Sequence, residues 1–277
     1  MTALLFLDFE STGLTAHNLT VLEAAWCVTD MDGTERSPIR SRFTALSTSE
    51  EPPVVPDKTT MGSHRWLNES AGNSYALTMA QESGLFTDWL ACPRNQIIRE
   101  AAELERLLLD DLAAVVDPGE PNPNYSGYNI RLAGEQPGPW LREPERVHLA
   151  GAGVAQFDQP TLRILCPKVS QGSGRVAATH YRTVDTSVAQ TVLLGGAEDE
   201  KLIEWARAAG SPVDIDIALG FPPHYAYGNR DVISWLAKPK MHRAAPDVAR
   251  AIVIHRALRR FALPLRRKLG LETAESE

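Results

Sequence analysis

Two carboxylates stand two residues apart in Asp8-Phe9-Glu10, at the end of an unbroken apolar run, Leu4-Leu5-Phe6-Leu7. Side chains alternate along a strand, so both acids project from one face. The run itself reads as a strand buried on both faces. Paired acids in a partly buried place repel each other and resist ionising unless a cation neutralises them. A hard divalent ion, Mg or Mn, meets that demand, since it takes oxygen ligands and commonly binds through one or two carboxylates plus phosphate. Ser11-Thr12-Gly13 then turns the chain beside the acids, offering hydroxyls and backbone N–H groups. Taken alone, the same residues also describe a polar strand end running into a turn, so the remaining acids of the chain must decide between the two.

Three further residues join the argument. Asp158, in Phe157-Asp158, follows an expected strand and opens or enters a helix. His242 and Asp247 form His-x-x-x-x-Asp across the start of the final helix. That spacing exceeds one helical turn, so the helix fixes the aspartate while the histidine sits on the chain leading into it. Such a division suits a rigid metal ligand and a movable base.

Taken in order, these four acids and the histidine resemble the DEDD exonucleases of the histidine subtype, and in finer detail oligoribonuclease and its relatives. The first motif of that family is similar to Leu7-Asp8-Phe9-Glu10-Ser11-Thr12-Gly13-Leu14, and Leu22-Glu23-Ala24-Ala25 is similar to its second-strand Ile-Glu-Ile-Ala. Its Ala-Gly-Asn-Ser-x-x-x-Asp segment resembles the stretch from Ala150 to Asp158, and its His-Tyr-Arg-x-x-Asp-Val-Ser resembles His180-Tyr181-Arg182 with Asp185 and Ser187. Val192 replaces the family's lysine and Ala152-Gly153 its Asn-Ser, which removes two polar contacts.

The resemblance implies a metal-dependent 3′-to-5′ exonuclease that hydrolyses single-stranded or short oligonucleotides, RNA or DNA, to nucleoside 5′-monophosphates. Two divalent ions, Mg or Mn, would be held by Asp8, Glu10, Asp158 and Asp247, with His242 as general base, a task that suits a side chain titrating near neutrality. Thr12, Gly13 and Leu14 would meet the 3′ end. Arg182 and Ser187 would cap the 5′ phosphate of a very short RNA, and Tyr181 would stack on a base across a homodimer. A single-stranded DNA proofreading or repair exonuclease is the nearest alternative, and a noncatalytic nucleic-acid-binding module a more distant one.

The elements that must position these residues are read from periodicity. Val21 to Asp30 and Ser41 to Leu46 are expected to be strands joined through the turn Met31-Asp32-Gly33, setting up a sheet with the first strand. Ile97 to Val116 has apolar residues at helical spacing. Val147 to Gly151 returns to the sheet, Leu162 to Leu165 is a short helix stopped by Pro167, Thr179 to Asp185 is extended, and Thr186 to Leu194 and Ala197 to Gly210 are helical. A last long helix covers about Ala245 to Leu263, with Pro246 in its first turn and Pro264 at its end. Strands, helix, returning strand and more helices imply an α/β fold of three layers with a mixed central sheet, the RNase H-like exonuclease fold. The chain reads as a single exonuclease domain, 1–277, with loop-rich insertions at about 47–94, 120–144 and 196–240.

Composition narrows the partners. The 277 residues carry a formal net charge of -7, which argues against coating duplex nucleic acid by charge alone, although not against gripping a few nucleotides through metal ions. Arg256, Arg259, Arg260, Arg266, Arg267 and Lys268 crowd the last helix, a pattern that also fits a solvated helix face. No apolar run approaches membrane-spanning length and no secretory signal is evident, so a cytoplasmic protein is expected. Cys27, Cys92 and Cys166 show no Cys-x-x-Cys spacing, which argues against a zinc site and for a reducing compartment.

Overall fold

The computed structural model describes residues 2–13, 15–53, 55, 80–121, 140–172, 179–189 and 242–268. The chain opens with three strands, β1 (Thr2–Ser11), β2 (Thr20–Asp30) and β3 (Arg40–Ser47). A short helix α1 (Leu85–Ala91), a 3-10 turn at Arg94–Gln96 and a long helix α2 (Ala101–Val115) follow. A two-stranded ribbon, β4 (Glu120–Pro121) with β5 (Trp140–Arg142), leads to β6 (Arg146–Gly151). Helices α3 (Asp158–Leu165) and α4 (Pro167–Gln171), strand β7 (Thr179–Asp185) and the final helix α5 (Ala244–Lys268) complete the order.

The main sheet has five strands in the order β3-β2-β1-β6-β7. β2 runs antiparallel to both β1 and β3, whereas β6 and β7 run parallel to β1. β1 is therefore central, and its apolar run is buried on both faces as the unbroken hydrophobicity requires. Ala3, Leu5, Leu7 and Phe9 pack with Leu104, Leu108 and Leu112 of α2 and with Leu162 of α3. Leu4 and Phe6 point the other way, onto Ala245, Val248, Ala249 and Ile252 of α5. The mixed α/β sandwich of three layers is thus present, and the alternation of β1 has a direct consequence. Asp8 and Glu10 continue the face of Leu4 and Phe6, so they look toward the helix that carries Asp247.

Several elements depart from expectation. The helix expected from Ile97 begins at Ala101, because the backbone before it is used by the sheet edge: Ile98 N–H donates to Phe43 O at 2.9 Å and Ala45 N–H to Ile98 O at 2.8 Å. Pro167 ends one helix and also opens the next, in the first turn where a missing N–H costs nothing. α5 continues through Pro264 to Lys268 instead of stopping at Leu263. Part of the 47–94 insertion is packed: Leu85, Phe86 and Trp89 of α1 bury against Leu22, Ala45 and Ile97, and the Trp89 indole donates to Thr44 O at 2.7 Å. Residues 186–189 are helical, whereas the helix expected over Ala197 to Gly210 lies outside the described residues. All three cysteines are free thiols. Among the described residues, no helix is long and apolar enough to cross a membrane.

Candidate metal centre

The sheet register delivers Asp158 to the acids of β1. β6 pairs with β1 only as far as Phe6–Ala150, so the Phe9 N–H falls beyond the parallel ladder. Asp158, the first residue of α3, accepts that N–H through Oδ1 at 3.0 Å, and its side chain is buried. Gly151 permits the close departure of the chain from β6, since a Cβ there would stand 3.0 Å from Leu7 O. The turn that follows is held by Asp185 at the end of β7. Its Oδ1 accepts from Gly153 N–H at 3.2 Å, Ser187 N–H at 3.0 Å and Ser187 Oγ at 2.6 Å.

Asp247 comes from the first turn of α5, and His242 from the residues just before it. One ligand atom each of Glu10, His242 and Asp247 lies within 4.8 Å of the others. Arg250 approaches Asp247 Oδ1 at 3.5 Å from the next turn. His242 has φ 57, the one described non-glycine residue with positive φ, and strain of this kind persists where surrounding contacts over-determine it.

The electrostatics are those of crowded acids. Burial, reinforced by repulsion from Glu10, Asp158, Asp247 and Glu23, raises the Asp8 carboxyl well above its ordinary value. Burial raises Glu10 as well, with Asp247 and Glu23 repelling it and Arg243 pulling the other way. Asp158 is pushed up to about 8 by burial, against the Phe9 N–H bond that favours the carboxylate. Asp247 is pushed up to about 6, again by burial, with Arg250 and His242 opposing. Asp8 Oδ2 is buried and has no hydrogen-bond partner among the described residues. A buried carboxylate oxygen without a donor is costly, and a cation removes that cost. Oxygen donors of this kind, with one imidazole beside them, fit a hard divalent ion.

These shifts fix the sign of a metal-linked pH dependence. A carboxyl with a raised folded pKa stabilises the fold fully below its unfolded pKa and loses that contribution as pH rises through the folded value. Between about pH 4 and pH 8 the metal-free acids therefore destabilise the fold progressively, as Asp247 and then Asp158 ionise. A divalent ion must displace protons at the acid end of this window and fewer at the alkaline end. The rise in Tm on adding Mn over EDTA is expected to be larger at pH 8 than at pH 5. At an ion concentration of about 100 Kd the gain is about 2.7 kcal/mol, or roughly 5–10 °C for a protein of this size. Thermal melts at both pH values check this, and an increment independent of pH would count against ion binding by these acids.

The residues assigned to substrate are placed less uniformly. Thr12 N–H donates to Thr20 O at 2.9 Å, and Gly13 N–H faces Ser11 Oγ at 3.4 Å. Both N–H groups are thus engaged at the end of β1, and the Gly13 carbonyl accepts from Ser11 Oγ at 2.7 Å. Arg182 is exposed on β7, and Ser187 is exposed with its hydroxyl donating to Asp185. Leu14 and the side chain of Tyr181 lie outside the described residues.

The sequence reading passed over Arg243 and Asp88. Arg243 is 2% exposed and donates through Nε to Glu23 Oε2 at 2.9 Å, through Nη2 to Glu23 Oε1 at 3.2 Å and through Nη1 to Asp88 Oδ2 at 2.5 Å. The available signal was Glu23 itself, the one acid within the apolar stretch 21–28 of β2, which a buried cation had to meet.

No family model matches the chain, and no curated protein matches it in sequence. Among solved structures, the chain is similar to a moderately thermophilic exonuclease I from Methylocaldum szegediense, with a TM-score of 0.47 and 12% identity over 98% of this chain and 45% of that one. It is also similar to exonuclease I from E. coli in complex with a dA16 oligonucleotide, with a TM-score of 0.46, 13% identity and coverage of 98% and 43%. A metal-free form of the E. coli exonuclease I complex with single-stranded DNA gives a TM-score of 0.45, 12% identity and coverage of 98% and 42%. The chain spans less than half the length of these proteins.

Proposed function

We propose that the chain is a single-domain, metal-dependent 3′-to-5′ exonuclease of the histidine subtype, similar in motifs to oligoribonuclease, that hydrolyses single-stranded or short oligonucleotides. The observation that carries this reading is the convergence of Asp8, Glu10, Asp158 and Asp247, all raised in pKa by burial and the first three also by neighbouring acids of this group, with His242 beside two of them. Acids so arranged are a poor catalytic set without a cation and a good one with it.

Asp8, Glu10, Asp247 and Asp158 would hold two divalent ions, Mg or Mn, which supply charge neutralisation on the phosphate, activation of water and stabilisation of the departing oxygen. The Phe9 N–H keeps Asp158 Oδ1 oriented. A ring nitrogen of His242 takes the proton from the attacking water. The water oxygen bonds to phosphorus, the bond to the 3′ oxygen breaks, and the shortened strand keeps a 3′ hydroxyl while a nucleoside 5′-monophosphate leaves. Arg182 on β7 and Ser187 just after it would meet the 5′ phosphate of a short strand.

A substrate-length series of RNA and DNA, from dinucleotides upward and labelled at the 5′ end, tests the reading with Mg, Mn or EDTA. The expected result is stepwise shortening from the 3′ end, release of 5′-monophosphates and no reaction in EDTA. Internal cuts, 3′-monophosphate products or turnover in EDTA would end it. Preference for the shortest RNA assigns the oligoribonuclease-like role, and preference for long single-stranded DNA assigns the repair-type one.

A further inference from the structure

Resting on the exonuclease reading, we propose that Glu23, Arg243 and Asp88 form a clamp in which Arg243 is a positioning residue for His242. The neighbouring residue is the one whose backbone is strained, at φ 57, and whose ring lies by Glu10 and Asp247. His242 precedes the first turn of α5. The chain at this point is held from the next residue onward.

Arg243 forms a fork-to-fork pair with Glu23, whose oxygens also accept from Ser41 Oγ at 3.0 Å and from Ala244 N–H at 3.2 Å. The planar guanidinium allows two parallel bonds to one carboxylate while a third points to Asp88, an arrangement a lysine ammonium cannot reproduce. The Arg243 guanidinium carbon also stands 5.7 Å from the centre of the Phe43 ring. β2, β3 and α1 thus meet at one side chain. Glu23 is the register partner of Glu10 across β1 and β2, so the anchor and the metal-facing acid share one rung of the sheet. The clamp fixes where the chain enters α5 relative to β1, which is the distance between the base and the acids. Through Asp88 it also ties the 47–94 insertion to that distance.

The test compares the 277-residue chain with its Arg243→Lys, Asp88→Asn and Arg106→Ala variants, the last removing only an exposed helix pair. Three quantities are read: kcat and KM on a single-stranded oligonucleotide, Mn affinity, and the paramagnetic broadening that Mn imposes on the His242 ring protons by NMR. A base displaced by about an ångström costs on the order of 10²-fold in rate. Arg243→Lys is expected to lose about that much kcat, with KM and Mn affinity within about threefold of the parent and His242 broadening reduced. Asp88→Asn, whose half-exposed carboxylate is the outer arm, is expected to lose several-fold in kcat with an unchanged Tm. The positioning role is overturned if Arg243→Lys keeps kcat, or if Mn affinity and Tm fall together with kcat. Should Arg243→Lys fail to fold, an Asp88→Asn variant with parental kcat and His242 broadening overturns it. If the parent shows no nuclease activity, the functional reading fails, while a change in His242 broadening in the variants still supports the clamp.

Discussion

Asp8→Asn is expected to abolish turnover to about 10³-fold below the parent or lower while leaving the metal-free fold standing, and even firmer. Asp8 faces the repulsion of Glu10, Asp158, Asp247 and Glu23, and its Oδ2 is buried without a hydrogen-bond partner among the described residues. An amide of the same shape carries no charge to desolvate, and its NH2 can donate to the surrounding carboxylates. The metal-free variant should therefore melt at or above the parent at pH 8, where the parent's acids are most ionised. A neutral amide is a poor ligand for a hard divalent ion, however. The loss of several kcal/mol of transition-state stabilisation corresponds to about three powers of ten in rate. Kinetics with Mn and thermal melts in EDTA and in Mn measure both halves. The expected pattern is a lost Mn increment with an unchanged or raised melting point in EDTA. An active Asp8→Asn enzyme would remove Asp8 from the metal centre, and a collapsed fold would make it a structural residue.

This opposition between function and stability marks what the sequence could and could not reveal. β1 was legible because a run buried on both faces and ending in Asp-x-Glu satisfies only one arrangement: a central strand whose last acids face an interior. The grouping of those acids with Asp247 was expected from the resemblance to the DEDD exonucleases, not from local pattern. In the structure, Glu10 and Asp247 come together because alternation puts Asp8 and Glu10 on the face of Leu4 and Phe6, which packs on α5. Arg243 was not legible. Its partners Glu23 and Asp88 lie 220 and 155 residues away, and neither local spacing nor periodicity encodes an ion pair of that span. The start of α2 was misplaced for a related reason. Ile97 fits a helical stripe, yet the backbone of its neighbour Ile98 completes the edge beside β3. Tertiary hydrogen bonding outweighed local pattern there. Pro264 shows the same competition in the other direction, since the helix continues through a residue that lacks an N–H.

His242→Asn should separate catalysis from ion binding. Asparagine tolerates the left-handed backbone that His242 adopts, so the residue can change without relocating the chain before α5. Its amide has no basic nitrogen and cannot take a proton from water. Loss of a positioned general base typically costs about 10²-fold to 10⁴-fold, and kcat is expected to fall within that range while KM stays near the parent. The decisive companion measurement is the Mn increment in Tm. Asp8, Glu10, Asp158 and Asp247 remain, so an imidazole that acts on the water should leave the increment intact. The 4.8 Å grouping of His242 with Glu10 and Asp247 also permits the ring to be a ligand, and in that case the increment would shrink along with kcat. Turnover lost with the Mn increment preserved assigns the base; both lost together assigns a ligand; near-parental turnover removes His242 from the chemistry and leaves its strained backbone without a functional cause.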